Sequence, residues 1–378
     1  MRVLILGAAG KAGSAAVSSL LGLNGIGHVY LADHDAEALT KLAGHLGHLP
    51  VSPRYLDAES ERSLRERMAE ADLVLGCLGP FHRHEGNTVR AAIATRRDYL
   101  SLCDDPEATE EALSLGAEAA RRGVRILCGC GLTPGLSNLL ACRAGSRLER
   151  VDELEIAWCL EMGSALGTAT LEHLLRSWRG GAPVCRGGRK ARARAGSWEE
   201  MVEFPSPFGW QVVCYLGHPE PVTLPASIGG VLDVGFKAGV GGRGRSLALH
   251  SLAWLGEGER TDLWMTALRT AARGIARSGE ASCPSAVRVT AATSREGGRK
   301  RAIYSVTGDY YRISGLVLAA AVDGLVRRGW PPGVHPPERV LDDPLVFERL
   351  RRAGVRILVG EERAGGAQGA GGPLEGQA

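Results

Sequence analysis

Residues 3–13, Val-Leu-Ile-Leu-Gly-Ala-Ala-Gly-Lys-Ala-Gly, constrain this chain more than any other stretch. Four apolar residues run into the turn Gly7-x-x-Gly10-x-x-Gly13, which opens a helical segment rich in Ala and Ser. A diphosphate needs this arrangement. Gly7 permits the tight turn, Gly10 has no Cβ to hold a phosphate off the backbone, and Gly13 lets the helix lie close on the strand. The helix N-terminus adds unpaired N–H groups and the positive end of its dipole. A second strand, His28–Asp33, ends in an acid about 20 residues past the glycines, where a ribose-binding carboxylate belongs. The spacing GxxGxxG departs from GxGxxG, so the flanking strands and Asp33 carry the assignment.

At 378 residues the chain exceeds one ordinary core, and two domains are expected. A net charge of +3 with 5% aromatic residues argues against a nucleic-acid partner. No apolar run approaches the ~18–20 residues that span a bilayer, so no membrane partner is expected. The chain enters a strand at once, which leaves no room for an export signal. Nine scattered cysteines fit a reducing compartment, and the expected location is cytoplasmic. Cys128 and Cys130 read as small packing residues at a strand end, not as metal ligands, and no metal is expected.

The first 130 residues alternate strand and helix. After the two opening strands come a helix from Ala36, a strand Arg54–Asp57, a helix Ser60–Ala71 and a strand Ala71–Leu78. A helix Asn87–Thr95, a strand Asp98–Cys103, a helix Pro106–Arg122 and a strand Val124–Cys128 complete the series. The pattern predicts an α/β fold: a Rossmann doubly wound parallel sheet. A helix Pro134–Ala144 and an alternating strand Val151–Trp158 then open an inserted α+β domain for substrate and dimerisation. The expected divisions are 1–130 for the nucleotide domain, 131–305 for the inserted domain, 306–362 returning to the first domain, and 363–378 as a disordered tail. Within the return, Ser314–Arg327 reads as an apolar helix and Pro344–Arg352 as a short one.

Four words resemble the saccharopine dehydrogenase-like NAD(P)-dependent oxidoreductases: Gly7–Gly13, Gly79-Pro80-Phe81, Tyr99–Asp105, and Gly129-Cys-Gly-Leu-Thr-Pro-Gly-Leu-Ser-Asn138. The last is similar to the segment joining nucleotide and substrate domains in the saccharopine reductase, lysine 6-dehydrogenase and carboxynorspermidine dehydrogenase branches. Gly333–Val340 is similar to a family ending. The middle domain carries no matching substrate word, and Asp309-Tyr310-Tyr311 departs from the small residues and proline of relatives. The resemblance implies hydride transfer between NAD(P) and the C–N bond of an amino acid or its imine.

The cofactor-binding candidates are Gly7, Ala9, Gly10, Lys11, Ala12, Gly13, Asp33, Asp57, Gly79, Pro80, Phe81, Thr133 and Pro134. Asp33 would accept the ribose hydroxyls and repel a 2′-phosphate; His34 and Asp35 supply no Arg or Lys for one, so NAD is favoured over NADP. Gly79-Pro80-Phe81 ends the fourth strand, with Phe81 beside the nicotinamide. Asp104 and His82 are the catalytic candidates for moving a proton, with His84 a weaker one and Glu85 beside it; Asp105 reads as a helix cap. Thr133 as cap and Pro134 in the first turn would aim a helix N-terminus at a carboxamide or carboxylate, with Gly135, Ser137 and Asn138 binding substrate. Arg186–Arg194 reads as a solvated basic loop, and Trp178, Trp198, Trp210 and Trp254 as core or dimer-interface residues.

The expected protein is an NAD-dependent oxidoreductase of the CH–NH group with an amino-acid-like substrate, working as a homodimer. Two alternatives stay open: a catalytically silent NAD(H)-binding regulator, and a reductase of a non-amino-acid substrate such as a lipid enone.

Overall fold

The computed structural model describes residues 1–21, 23–47, 49–161, 166–178, 180–241, 282–295 and 298–363. Trp254 lies outside them, as does the expected tail apart from Arg363, which sits in a strand. The chain forms two compact units, Met1–Leu136 with Tyr311–Leu350, and Ser137–Tyr310 with the residues from Arg351 onward.

The first unit is a seven-stranded sheet. Its strands are β1 (Arg2–Leu6), β2 (His28–Asp33), β3 (Val51–Tyr55), β4 (Leu73–Gly76), β5 (Asp98–Ser101), β6 (Arg125–Cys128) and, much later, Gly333–His335. The order is Gly333–His335, β6, β5, β4, β1, β2, β3, every pair parallel. The chain winds one way from β1 to β3 and the other way from β4 outward, so the order reverses between β1 and β4. That switch point is where open α/β sheets bind ligands. β1 and β4 are apolar because helices cover both faces: Val3 to Leu6 and Val74 to Leu75 are fully buried.

The helices of this unit are α1 (Lys11–Leu20), α2 (Ala36–His45), α3 (Glu61–Ala69), α4 (Phe81–Thr95), α5 (Pro106–Ser114) and α6 (Gly116–Arg122). Asp35, Ser60 and Asp105 cap α2, α3 and α5 through bonds to the amides of Ala38, Ser63 and Ala108. Two helices differ from expectation. α4 starts at Phe81, six residues before Asn87, because Pro80 supplies an extended N-cap and the helix then runs unbroken. The single helix expected over 106–122 is two, divided at Leu115, whose ψ of 2° leaves the helical region.

The second unit carries a nine-stranded mixed sheet. It opens with helix α7 (Leu136–Ser146), then β7 (Glu153–Glu161), helix α8 (Thr168–Ser177), β8 (Gly181–Arg186), β9 (Arg189–Arg194), β10 (Glu200–Phe204), β11 (Gly209–Tyr215), the short α9 (Glu220–Thr223) and β12 (Asp233–Gly241). β13 (Pro284–Arg295), β14 (Gly298–Asp309) and, last in the chain, Ile357–Arg363 complete it. The path runs β10, β11, β12, β7, β13, β14, Ile357–Arg363, with β8 on β12 and β9 on β8. Only β7 and β12 are parallel; the remaining pairs are antiparallel. Alternation on β7 buries Leu154, Ile156, Trp158 and Leu160 on one face.

The C-terminal stretch divides between the sheets. The helix Tyr310–Arg327 and Gly333–His335 serve the first unit, whereas Ile357–Arg363 becomes an edge of the second sheet. Arg186–Arg194 is a hairpin, not a loop. Gly187 and Gly188 both take positive φ, the two-residue turn that matches strand twist.

Candidate active site

The loop after β1 is set by its own backbone. The Gly7 and Ala8 amides donate to the Ala32 carbonyl, at 2.8 and 3.1 Å, and Gly10 N–H returns to the Gly7 carbonyl at 3.2 Å. Gly7 sits at φ +75°, and a Cβ there would stand 2.6 Å from the Cys77 carbonyl oxygen on the neighbouring strand. A Cβ on Gly13 would stand 2.7 Å from Ala8 Cα, so only glycine lets α1 close on the loop. Gly10 differs. It is exposed, and a Cβ there would meet only the Gly7 carbonyl oxygen, at 3.3 Å. It is also the N-cap of α1, with no capping side chain and no acid in the first turn. An uncapped helix start behind an exposed glycine is a fit for a diphosphate. Lys11 is exposed and Ala12 half-buried beside it.

Asp33 closes this arrangement from β2. Its carboxylate is 6% exposed and accepts from Ala9 N–H at 3.1 Å and Asp35 N–H at 3.3 Å, with His34 Nδ1 at 2.9 Å. Helix capping falls to Asp35, so Asp33 is held at the mouth of the glycine loop instead. Arg54, the nearest base on β3, stacks over Tyr30 and is tied to Glu70 at 2.7 Å. Asp57 is exposed beyond β3, where its carboxylate accepts from Glu59 N–H at 3.0 Å.

Across the switch point, Gly79 and Pro80 are half-buried and joined by a cis peptide, and Phe81 and His82 begin α4. His84 lies 3.6 Å from Glu59. Below them Glu85 is wholly buried. Tyr99 Oη donates to it at 2.8 Å, Ser101 Oγ at 2.6 Å, and the Cys128 thiol lies at 3.6 Å. Burial pushes the Glu85 carboxyl up to about 7, against the pull of those hydrogen bonds and with help from the nearby charge of Asp104. Asp104 is itself buried at the end of β5. Gly76 makes room for the Tyr99 hydroxyl, which occupies the place of a Cβ. The group thus holds a carboxyl able to carry a proton near neutrality. Glu85 was discoverable: Glu85, Thr88, Val89, Ala92 and Ile93 form a buried stripe at helical spacing.

Residues 3–127 match the sequence family described as saccharopine dehydrogenase NADP binding domain. Over these residues the chain is similar to that nucleotide-binding domain. Among solved structures, the apo saccharopine dehydrogenase (L-Glu forming) of Saccharomyces cerevisiae shares 14% identity at a TM-score of 0.68, covering 96% of this chain and 99% of that one. A probable dehydrogenase from Thermotoga maritima shares 12% identity over 95% and 98% of the two chains, with a TM-score of 0.44. GenD2 of gentamicin A biosynthesis, solved with NAD, shares 14% over 95% and 96%, with a TM-score of 0.42. The first of these likenesses shows a shared fold. No helix among the described residues is long and apolar enough to cross a membrane.

The Gly129–Asn138 word departs from the expected cap. Thr133 and Pro134 do not begin a helix. The Pro134 carbonyl accepts from Gly131 N–H at 2.8 Å and Leu136 N–H returns to the Gly131 carbonyl at 2.9 Å, a closed turn from which α7 starts at Leu136. The turn is buried throughout, and the Leu132 amide donates to Ser314 Oγ at 3.1 Å. Ser137 and Asn138 are also fully buried, and each bonds within the second unit. Ser137 Oγ donates to Glu220 at 2.7 Å and Asn138 Nδ2 to Thr223 at 3.3 Å. The other Glu220 oxygen binds His218 Nδ1, whose ring stacks on Phe236 at 4.0 Å. Eighty-three residues separate Ser137 from Glu220, and no local spacing announces the pair.

The remaining sequence candidates are placed as follows. Asp309 accepts from Cys283 N–H at 2.6 Å and anchors the start of the helix Tyr310–Arg327. Cys128 and Cys130 are buried, the latter donating to the Ser101 carbonyl at 3.1 Å. Trp178 is in the core, while Trp198 and Trp210 are exposed.

Proposed function

We propose that this chain is an NAD-dependent oxidoreductase that transfers hydride at the C–N bond of an amino-acid-like amine or imine. One observation carries the choice of cofactor. The Asp33 carboxylate, buried and fixed by Ala9 N–H, offers its oxygens to a ribose diol and repels a 2′-phosphate. Arg54, the base that would otherwise answer such a phosphate, is engaged by Glu70. When bound, NAD supplies the hydride acceptor or donor. Gly7, Gly10, Gly13 and the start of α1 would hold its diphosphate, while Gly79, Pro80 and Phe81 would flank the nicotinamide. Thr133 and Pro134 would contribute backbone rather than a helix dipole.

Breaking or making a C–N bond also moves one proton. Asp104 is assigned that transfer, with His82 the second candidate and the protonatable Glu85 near enough to Asp104 for the two charges to influence each other. A cytoplasmic location suits nine cysteines of which none is in a disulfide. The test is turnover. Purified protein is supplied with NAD or NADP and a panel of lysine, saccharopine and related diamines, and nicotinamide absorbance is followed. NAD reduction by at least one amine, exceeding that of NADP, is expected. Activity confined to C=C substrates such as enones would contradict the C–N assignment.

A further inference from the structure

A ribose diol needs both oxygens of a carboxylate to accept, and the two Asp33 oxygens are not equally open. Oδ2 takes the Ala9 N–H at 3.1 Å and keeps a second lone-pair direction. Oδ1 takes the Asp35 N–H at 3.3 Å, and His34 Nδ1 stands 2.9 Å from the same atom. Two neighbours thus fill both directions of Oδ1. The amides belong to the backbone and stay. His34 is a side chain on the link between β2 and α2, 82% exposed, and among the described residues its ring has no other partner. The imidazole therefore stands where one hydroxyl of the diol belongs.

The two charge states of that ring act differently on a dinucleotide. A ring nitrogen this close to a carboxylate carries its hydrogen, so the neutral imidazole shows a bare lone pair at Nε2. Held only by a contact exposed to water, it yields Oδ1 to a hydroxyl at little cost. The cation holds Asp33 through a charge-assisted pairing that is harder to displace, and its Nε2 becomes a second donor. A 2′-phosphate brings up to two negative charges and three acceptor oxygens, and such a donor offsets its repulsion from Asp33. The other charged groups at the glycine loop and the ends of β2 and β3 are Lys11, Asp35, Glu37, Asp57 and Glu59, with His84 3.6 Å from Glu59. Arg54 is engaged by Glu70. Carboxylates and lysines ordinarily keep one charge from about pH 6 to 8.5, whereas an imidazole changes its own there.

We propose that His34 sets the choice of coenzyme according to pH. Neutral, it gives up Asp33 to the diol of NAD. Protonated, it keeps hold of Asp33 and supplies a positive donor for the 2′-phosphate of NADP, so the preference for NAD narrows as pH falls. This rests on the assignment of Asp33 to the ribose.

Fluorescence titration of the full chain with NADH and NADPH at pH 8.5 and 6.0, beside His34→Ala and His34→Arg, tests this. An exposed charge pair changes affinity by up to about fivefold. NADH affinity of the parent is expected to fall about two- to fivefold between pH 8.5 and 6.0, and its ratio of NADPH to NADH affinity to rise about five- to tenfold. His34→Ala should bind NADH equally at the two pH values, at least as tightly as the parent does at pH 8.5. Any residual drift in its ratio reports the titration of the 2′-phosphate itself, near pH 6. His34→Arg, charged throughout, should show at pH 8.5 the ratio that the parent reaches at pH 6.0. The same pH dependence in the parent and His34→Ala, for both coenzymes, would overturn the proposal and leave Asp33 on the ribose. A parent that binds neither coenzyme at either pH would remove the cofactor reading itself, and this inference with it.

Discussion

Two glycines three residues apart carry different burdens. Gly13 has backbone where a Cβ would go, so Gly13→Ala is expected to cost about 1–3 kcal/mol of stability. Gly10→Ala meets a single oxygen, so its melting temperature should stay near that of the parent while NADH affinity falls. Calorimetric melting and NADH titration of both variants check the pair. Both glycines were legible from their place between a strand and a helix with Asp33 beyond, and Asp105 was legible as a cap, which it is. Glu85 was read only as a neighbour of two histidines, since it lies on α4 and its partners Tyr99 and Ser101 on β5. Burial pushes its carboxyl up to about 7 in the fold, from the ordinary 4.5 of an unfolded chain. The folded state therefore holds the extra proton between those values, and stability falls as pH rises through that window. The loss amounts to about 3 kcal/mol at 1.36 kcal/mol per unit. Glu85→Gln should flatten melting temperature against pH from about 4.5 to 7, and a profile as steep as the parent's would remove Glu85 from the explanation. Asp104→Asn is expected to lower kcat by about 10²–10⁴ with NADH affinity unchanged.

At the scale of elements, the Gly129–Asn138 word was legible as a junction and misread in detail. Thr-Pro before an apolar run has the composition of a capped helix start. The bonds between Gly131, Pro134 and Leu136 close a turn instead, and composition does not reveal them. α7 is secured to α9 by Ser137–Glu220 and Asn138–Thr223, with His218 beyond. Glu220→Ala would strand the Ser137 hydroxyl and the buried His218 nitrogen, at about 1–3 kcal/mol for each. Glu220→Gln should be milder because an amide still serves both. A pair of melting curves distinguishes them; equal losses would show that volume, not hydrogen bonding, matters at Glu220. The β8–β9 hairpin was hidden by its arginines, although Gly187-Gly188 marked its turn.

For the molecule as a whole, six strands of the parallel sheet were readable because most of them are short, apolar and set between helices, a pattern few folds share, whereas the seventh, Gly333–His335, is three residues long and carries no such signal. The second sheet was readable as a class and not as an order. Its strands join across long intervals, as β7 does with β13, and pairing at that range leaves no periodic trace. The same distance hides the end of the chain, where Ile357–Arg363 pairs with β14. The proposed function rests on the first sheet's switch point, with the glycine loop after β1 and Asp33 at the end of the neighbouring β2. Titration of the purified chain with NADH and NADPH, beside Asp33→Ala, tests this most directly. The parent should prefer NADH, and Asp33→Ala should lose about 10- to 100-fold in NADH affinity, the worth of hydrogen bonds to a charged group, while gaining on NADPH. A folded Asp33→Ala protein with the parent's NADH curve, or a parent that prefers NADPH, would contradict the assignment of Asp33 to the ribose.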